Sequence, residues 1–187
     1  SRPCSAAARM KTTKRIATVW LSGCTGCHMS FLDLDERLME LPQKATLVYS
    51  PLADIKTFPE DVDITLVEGA VSTNADVALL RTVRAHTRRL LAFGDCAVTG
   101  NITAMRNSTG RRETLQRAYG DAGDLLGRDP DAYLPALLER VVPVHRLVAV
   151  DHFIQGCPPS PDLIWYMLTE LLEDRDPVMD RENLRYG

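Results

Sequence analysis

The sequence predicts a doubly wound α/β fold, and two observations carry that reading. Five short runs, IATVWL (16–21), TLVY (46–49), DITLVEG (63–69), RLLAFG (89–94) and RLVAVD (146–151), are near-continuously apolar and rich in Val, Ile and Leu. That is the pattern of strands buried on both faces of a parallel sheet, not of strands with one wet face. Stretches of helical periodicity lie between them, and strands alternating with helices imply a doubly wound sheet of the flavodoxin-like type.

Taken in order, the helices are justified by their apolar stripes and their ends. Residues 28–41 place Phe31, Leu34, Leu38 and Leu41 on one face at spacings of three and four. Residues 75–88 follow Thr73-Asn74, either of which can cap, and align Val77, Leu80 and Val83. The clearest helix is 161–174. Ser160 is its N-cap, Pro161 its first residue, and Leu163, Ile164, Met167, Leu168, Leu171 and Leu172 line one side.

Residues 103–145 interrupt this rhythm. The stretch MRNSTGRRETLQRAYGDAGDLLGRDPDAY is polar and rich in Gly and Arg, and only 131–141 reads as a helix. A long insertion in a compact domain is usually functional or faces a partner. The arginines Arg106, Arg111, Arg112 and Arg117 could bind an anion but are read as part of a solvated loop.

With 187 residues, 45% hydrophobic and 25% charged, the chain has the length and composition of one globular domain with a full core. The expected organisation is a basic tail over 1–15, a single domain over 16–174 with its partner-facing insertion at about 103–145, and a C-terminal tail over 175–187. A formal net charge of −3 gives no general attraction for nucleic acid. No apolar run approaches the roughly 20 residues that span a bilayer, and Ile16–Leu21 is too short for the core of a secretory signal. The expectation is a cytoplasmic chain without nucleic-acid or membrane partners, whose thiols stay reduced.

The chemistry concentrates in the cysteines. Cys24 and Cys27 follow the first strand, Cys96 follows the fourth, and Cys157 follows the fifth. All four are placed beyond carboxyl ends of parallel strands, the edge where open α/β sheets bind ligands. Gly23, Gly26, Gly94, Gly100 and Gly156 stand beside them, letting the backbone approach a buried anionic group closely. Cys157 precedes Pro158, as the last cysteine of bacterial ferredoxin motifs precedes proline. Four readings remain open from these residues, inert cysteines being the plainest. A redox dithiol accounts for Cys24 and Cys27 but not the other two. Structural zinc usually takes two paired CxxC knuckles, and here there is one. An iron–sulfur cluster uses all four.

Other residues carry weaker signals. His28 either tunes such a site by a hydrogen bond or is solvated in the first helical turn. Glu68, at the end of the third strand, relays protons, meets a partner or is a structural carboxylate. Cys4 reads as a free thiol in the basic tail, and His86, His145 and His152 have no metal-ligand spacing. Trp20, Trp165 and Tyr166 read as core or interface. A flavin phosphate loop would coincide with the segment holding Cys24 and Cys27, which argues against FMN on this chain.

The motifs GCTGCHMSFLDLDE, VEGAV (67–71), FGDCAVTGNI (93–102) and VPVHRLVAVDHFIQGCPPSPDLI (142–164) resemble the small, electron-transferring subunit of nickel–iron hydrogenases. The resemblance covers Ile16 to Leu172, and GCPPSP is its most specific part. It implies that Cys24, Cys27, Cys96 and Cys157 ligate one 4Fe-4S cluster, and that the domain docks on a large subunit holding the nickel–iron centre. Periplasmic uptake relatives carry a twin-arginine signal and two further clusters. Respiratory complex I relatives have adjacent cysteines in the first motif, and F420-reducing relatives append a ferredoxin-like domain. The one-cluster pattern with CHMS most resembles the cytoplasmic NAD-reducing enzymes, whose diaphorase subunits carry FMN and iron–sulfur clusters and bind NAD. The implied role is that of a subunit passing electrons within an H2:NAD+ oxidoreductase, not catalytic alone. A complex I-like or F420-type small subunit is the alternative within the family, and a standalone four-cysteine metal or redox module the alternative outside it.

Overall fold

The structure, a computed structural model, describes residues 13–126 and 134–179. The central sheet consists of β1 (Lys14–Trp20), β2 (Ala45–Tyr49), β3 (Val62–Glu68), β5 (Thr87–Phe93) and β7 (His152–Ile154) in the order β2-β1-β3-β5-β7. Every pairing in it is parallel. This is the flavodoxin-like order expected from the apolar runs. A separate antiparallel pair joins β4 (Val71–Thr73) to β6 (Leu137–Val142).

Alternation along the buried strands divides the core into two layers. On one face Ile16, Ile64, Leu66, Leu91 and Phe93 pack with Phe31 of α1 (Gly26–Leu32), Leu41 of α2 (Arg37–Lys44) and the stripe of α7 (Pro161–Leu172). On the other, Ala17, Val19, Val67, Leu90 and Ala92 pack with Leu80 and Val83 of α3 (Asn74–Ala85) and Ala97 of α4 (Asp95–Thr99). The predicted ends of α7 hold: the Ser160 hydroxyl accepts the Leu163 N–H, and Pro161 opens the helix. The helix expected at 75–88 runs over 74–85, and its cap is Thr73, in a reciprocal capping box with Asp76.

Three expectations are corrected. The single helix 28–41 is two, because the chain turns at 33–36 with Asp35 at a positive φ of 51°. The fifth strand is His152–Ile154 rather than 146–151. Asp151 accepts the Leu90 N–H on its carboxylate at 2.7 Å and donates its own N–H to the Leu90 carbonyl at 2.9 Å, so regular pairing begins only at Leu91 with His152. The helix expected over 131–141 is contradicted where it is described, since 137–142 is the strand β6; residues 131–133 lie outside the described residues.

In its described residues the insertion is structured rather than a solvated loop. It contains α5 (Asn101–Ala104), a 3-10 turn at Met105–Ser108 and α6 (Arg111–Leu126). Arg106 is turned inward and donates to the Leu138 carbonyl at 3.0 Å, while the Asn107 amide pairs both ways with the Val141 backbone. Arg117 pairs with Glu113 on α6. Among the described residues no helix is long and apolar enough to cross a membrane.

Candidate functional site

The site grows from three strand ends. After β1 the chain crosses to β3: the Leu21 N–H donates to the Glu68 carbonyl at 2.8 Å, and Ser22 forms an antiparallel bridge with Ala70. This crossing requires Gly69, whose φ is +90°; a Cβ there would lie 2.8 Å from the Leu21 carbonyl carbon and the Ser22 oxygen. Ser22 is held from the side as well. Its hydroxyl donates to the Asp76 carboxylate at 2.9 Å and meets the Ser72 hydroxyl. The same Asp76 oxygen accepts the Ser72 and Thr73 N–H groups at 2.9 Å each. The loop thus fixed presents Cys24, exposed, and leads into α1 with Cys27 buried.

Beneath that helix lies Glu68, 2% exposed. Its carboxylate accepts the backbone N–H of Cys27 at 3.4 Å and of His28 at 2.9 Å, and it also meets the His28 ring Nδ1. His28 is itself 2% exposed, with its ring edge-on to Trp20 and Phe93. The reading of His28 as a solvated first-turn residue is therefore wrong. A signal for its burial was available: His28 stands three residues before Phe31 and extends the apolar stripe. Its Nδ1 is engaged with Glu68, and its Nε2 is buried with no protein partner.

The second strand end is that of β5. Gly94 turns the chain at φ +83°, and a Cβ on it would stand 2.1 Å from the Cys27 sulfur. Gly94 is therefore the wall against which that sulfur packs. Cys96 follows in the first turn of α4, 8% exposed. The third end, after β7, carries Gly156 and the exposed Cys157. It is tied to the other two. Gly94 N–H donates to the Ile154 carbonyl at 2.7 Å, and the buried Ser30 hydroxyl on α1 donates to the Pro159 carbonyl at 2.6 Å.

The four thiols share one electrostatic environment. The Cys27 thiol is pushed far up, first by burial, then by Glu68, and then by Cys24, Cys96 and Cys157. Cys96 is raised by burial and by Cys24, while the backbone N–H and hydroxyl of Thr103 favour its thiolate and Cys157 opposes it. Each of these two sulfurs therefore lies within range of both Cys24 and Cys157. Yet among the described residues no three His, Cys, Asp or Glu side chains are gathered tightly enough to grip a single metal ion. Cys4 lies outside the described residues.

The site thus belongs to a flavodoxin-like parallel sheet whose carboxyl edge carries cysteines from three strand ends. The family model for the NADH ubiquinone oxidoreductase 20 Kd subunit matches residues 24–171, and the chain belongs to that family. It is 39% identical over 168 residues to the delta subunit of the NAD-reducing hydrogenase HoxS of Cupriavidus necator, covering 86% of this chain and 79% of that one. It is 35% identical over 167 residues to a subunit of the F420-non-reducing hydrogenase vhu of Methanocaldococcus jannaschii, with 88% of this chain covered but only 58% of that protein. A chain in the crystal structure of an NAD+-reducing NiFe hydrogenase in the H2-reduced state superimposes with a TM-score of 0.86 at 42% identity, covering 94% of this chain and 100% of that one. A NiFeSe hydrogenase chain from Dm. baculatum, at 18% identity and a TM-score of 0.55, shares the fold.

Proposed function

We propose that this chain is the electron-transferring small subunit of an NAD-reducing nickel–iron hydrogenase, and that Cys24, Cys27, Cys96 and Cys157 hold one 4Fe-4S cluster. The observation that carries the proposal is the arrival of four soft thiol donors from three strand ends at one edge. Cys24 and Cys157 both act on the Cys27 and Cys96 thiols, so the four stand together at that edge. Tetrahedral zinc, with Zn–S near 2.3 Å, draws its four sulfurs to within about 4 Å of one another; an iron–sulfur cluster takes thiolates around a body several atoms wide. The donor chemistry fits the cluster, and Gly94 and Gly26, which crowd the Cys27 and Cys24 sulfurs, keep side chains out of its place.

Bound there, a 4Fe-4S cluster supplies one-electron storage and transfer. The chain's own residues set where that happens. Glu68 holds the head of α1, and Thr103 steadies Cys96. Exposed Met29, Ile102 and Met105 flank the cysteine-bearing segments as an apolar surface for a partner. In this reading the large subunit carries the nickel–iron site, and diaphorase subunits with flavin and iron–sulfur centres bind and reduce NAD. The likeness to the NAD-reducing hydrogenase subunits, at 39% and 42% identity against 35% for the F420-non-reducing relative, supports that choice.

The test is anaerobic purification of the chain with the products encoded beside it. Four iron and four sulfide per chain, a brown chromophore and a co-purifying large subunit are expected. Colourless protein with stoichiometric zinc would refute the proposal.

A further inference from the structure

Cys96 and Cys157 stand on separate segments, and little secondary structure holds either one. Cys96 sits in a helix of five residues, and Cys157 follows an edge strand of three. What joins them is a short zipper of three hydrogen bonds. Gly94 N–H donates to the Ile154 carbonyl at 2.7 Å, and Asp95 N–H donates to the Gly156 carbonyl at 2.9 Å. In return the Gly156 N–H donates to the Asp95 carboxylate Oδ1 at 2.8 Å. Two of the three are made by backbone alone. Only the third depends on a side chain, and it closes the pair into a reciprocal clamp between the residue before Cys96 and the residue before Cys157.

Gly156 has no side chain with which to fix its own direction. Its φ of +135° disfavours one, and a Cβ would lie 2.5 Å from Pro159 Cα. The clamp therefore adds to the Ser30–Pro159 hydrogen bond in fixing the direction in which Cys157 leaves the sheet. A carboxylate is well suited, because an ionised acceptor makes a shorter and stronger bond to an amide than a neutral one.

We propose that Asp95 is a positioning residue: by holding Gly156 it sets the separation of the Cys96 and Cys157 sulfurs, and so governs how firmly the cluster is retained. This rests on the reading of those cysteines as cluster ligands. Without the side-chain arm of the clamp the Gly156 N–H loses its acceptor, the Cys157 segment is held less firmly, and the ligand pair yields more readily to chelators. Asp76 performs the corresponding task for the Cys24 loop through Ser22, but it also caps α3, so Asp95 is the cleaner subject.

The experiment follows iron release to an excess of bathophenanthroline under anaerobic conditions, in the full chain and in the Asp95→Ala and Asp95→Asn variants, with the cluster's EPR spectrum recorded for each. Asp95→Ala should release iron several-fold faster and broaden the spectrum. Asp95→Asn, whose amide oxygen can accept the same N–H, should restore most of the parent behaviour. Equal release from Asp95→Ala and the parent would overturn the proposal. So would an Asp95→Asn variant as leaky as Asp95→Ala, since charge rather than the hydrogen bond would then matter. A Cys96→Ala variant run alongside separates the two layers: if it keeps its full iron, the ligand assignment itself fails, whatever Asp95 does.

Discussion

Glu68 and His28 form a buried pair directly under the first cysteine motif. The Glu68 carboxylate accepts the His28 backbone N–H at 2.9 Å and meets Nδ1 of the same residue's ring, with each side chain at most 3% exposed. One acid thereby satisfies a ring nitrogen and the first amides of α1, which have no partner within their own helix.

Removing that acid should be costly out of proportion to its size. Glu68→Ala leaves a buried imidazole and two helix amides unpaired, and breaking a buried pair in this way costs about 3 kcal/mol or more. Glu68→Gln keeps an acceptor for the amides and should cost less than half as much. Urea denaturation of the two variants measures the difference: equal losses would show that a neutral acceptor cannot stand in for the carboxylate, and negligible losses in both would show that Glu68 does not hold the helix.

Gly94 and Gly110 offer a matched comparison. Both lie at nearly the same positive φ, +83° and +84°, but a Cβ at Gly94 would meet the Cys27 sulfur, whereas nothing lies within 4 Å of one at Gly110. Gly110→Ala therefore isolates backbone strain, worth about 1–2 kcal/mol. Gly94→Ala adds the collision. It should lose at least about 2 kcal/mol more, as expected for overpacking, and bind less iron. Indistinguishable variants would remove Gly94 from the wall of the site.

A pH dependence follows from the far end of the fold. Asp174 accepts from Lys14 at 2.7 Å and from Arg88 at 2.6 Å, and those hydrogen bonds hold its carboxyl down at about 2 from an ordinary value of 3.8. Because the folded value is the lower one, the contribution is present above pH 4 and fades as pH falls from about 4 to 2. The group is half exposed, so screening keeps the effect small. Asp174→Asn should flatten the loss of stability across that window and leave the neutral-pH cluster spectrum unchanged. An unchanged acid profile would discount the anchor.

The parts of the fold that were legible are those with local causes. Ile16, Ala17 and Val19, interrupted only by Thr18, and Leu90–Phe93 are apolar because both faces of the sheet are covered, and α7 announces itself by Ser160, Pro161 and six aligned apolar residues. The four cysteines could be placed at one edge because each follows a strand. What failed has remote causes. Leu137–Val142 is a strand because β4 lies beside it, and no local periodicity records a partner more than sixty residues away. Val148 and Val150 pack against the core as irregular chain rather than as strand, since Asp151 occupies the place where pairing with Leu90 would begin. Asp95 and Ser30 went unnoticed because their partners are backbone atoms 61 and 129 residues away, and Asp76 because the Ser22 hydroxyl it accepts lies 54 residues before it.

The most direct test of the central proposal, that electrons cross this chain at its four cysteines, measures two activities of one preparation of the assembled complex carrying Cys157→Ala. NADH oxidation with an artificial acceptor uses only the diaphorase subunits and should persist, while H2-driven NAD reduction should fall to background, with a native gel showing that the subunits remain together. Substantial H2-driven NAD reduction by an assembled variant that has lost the cluster's iron would contradict the account.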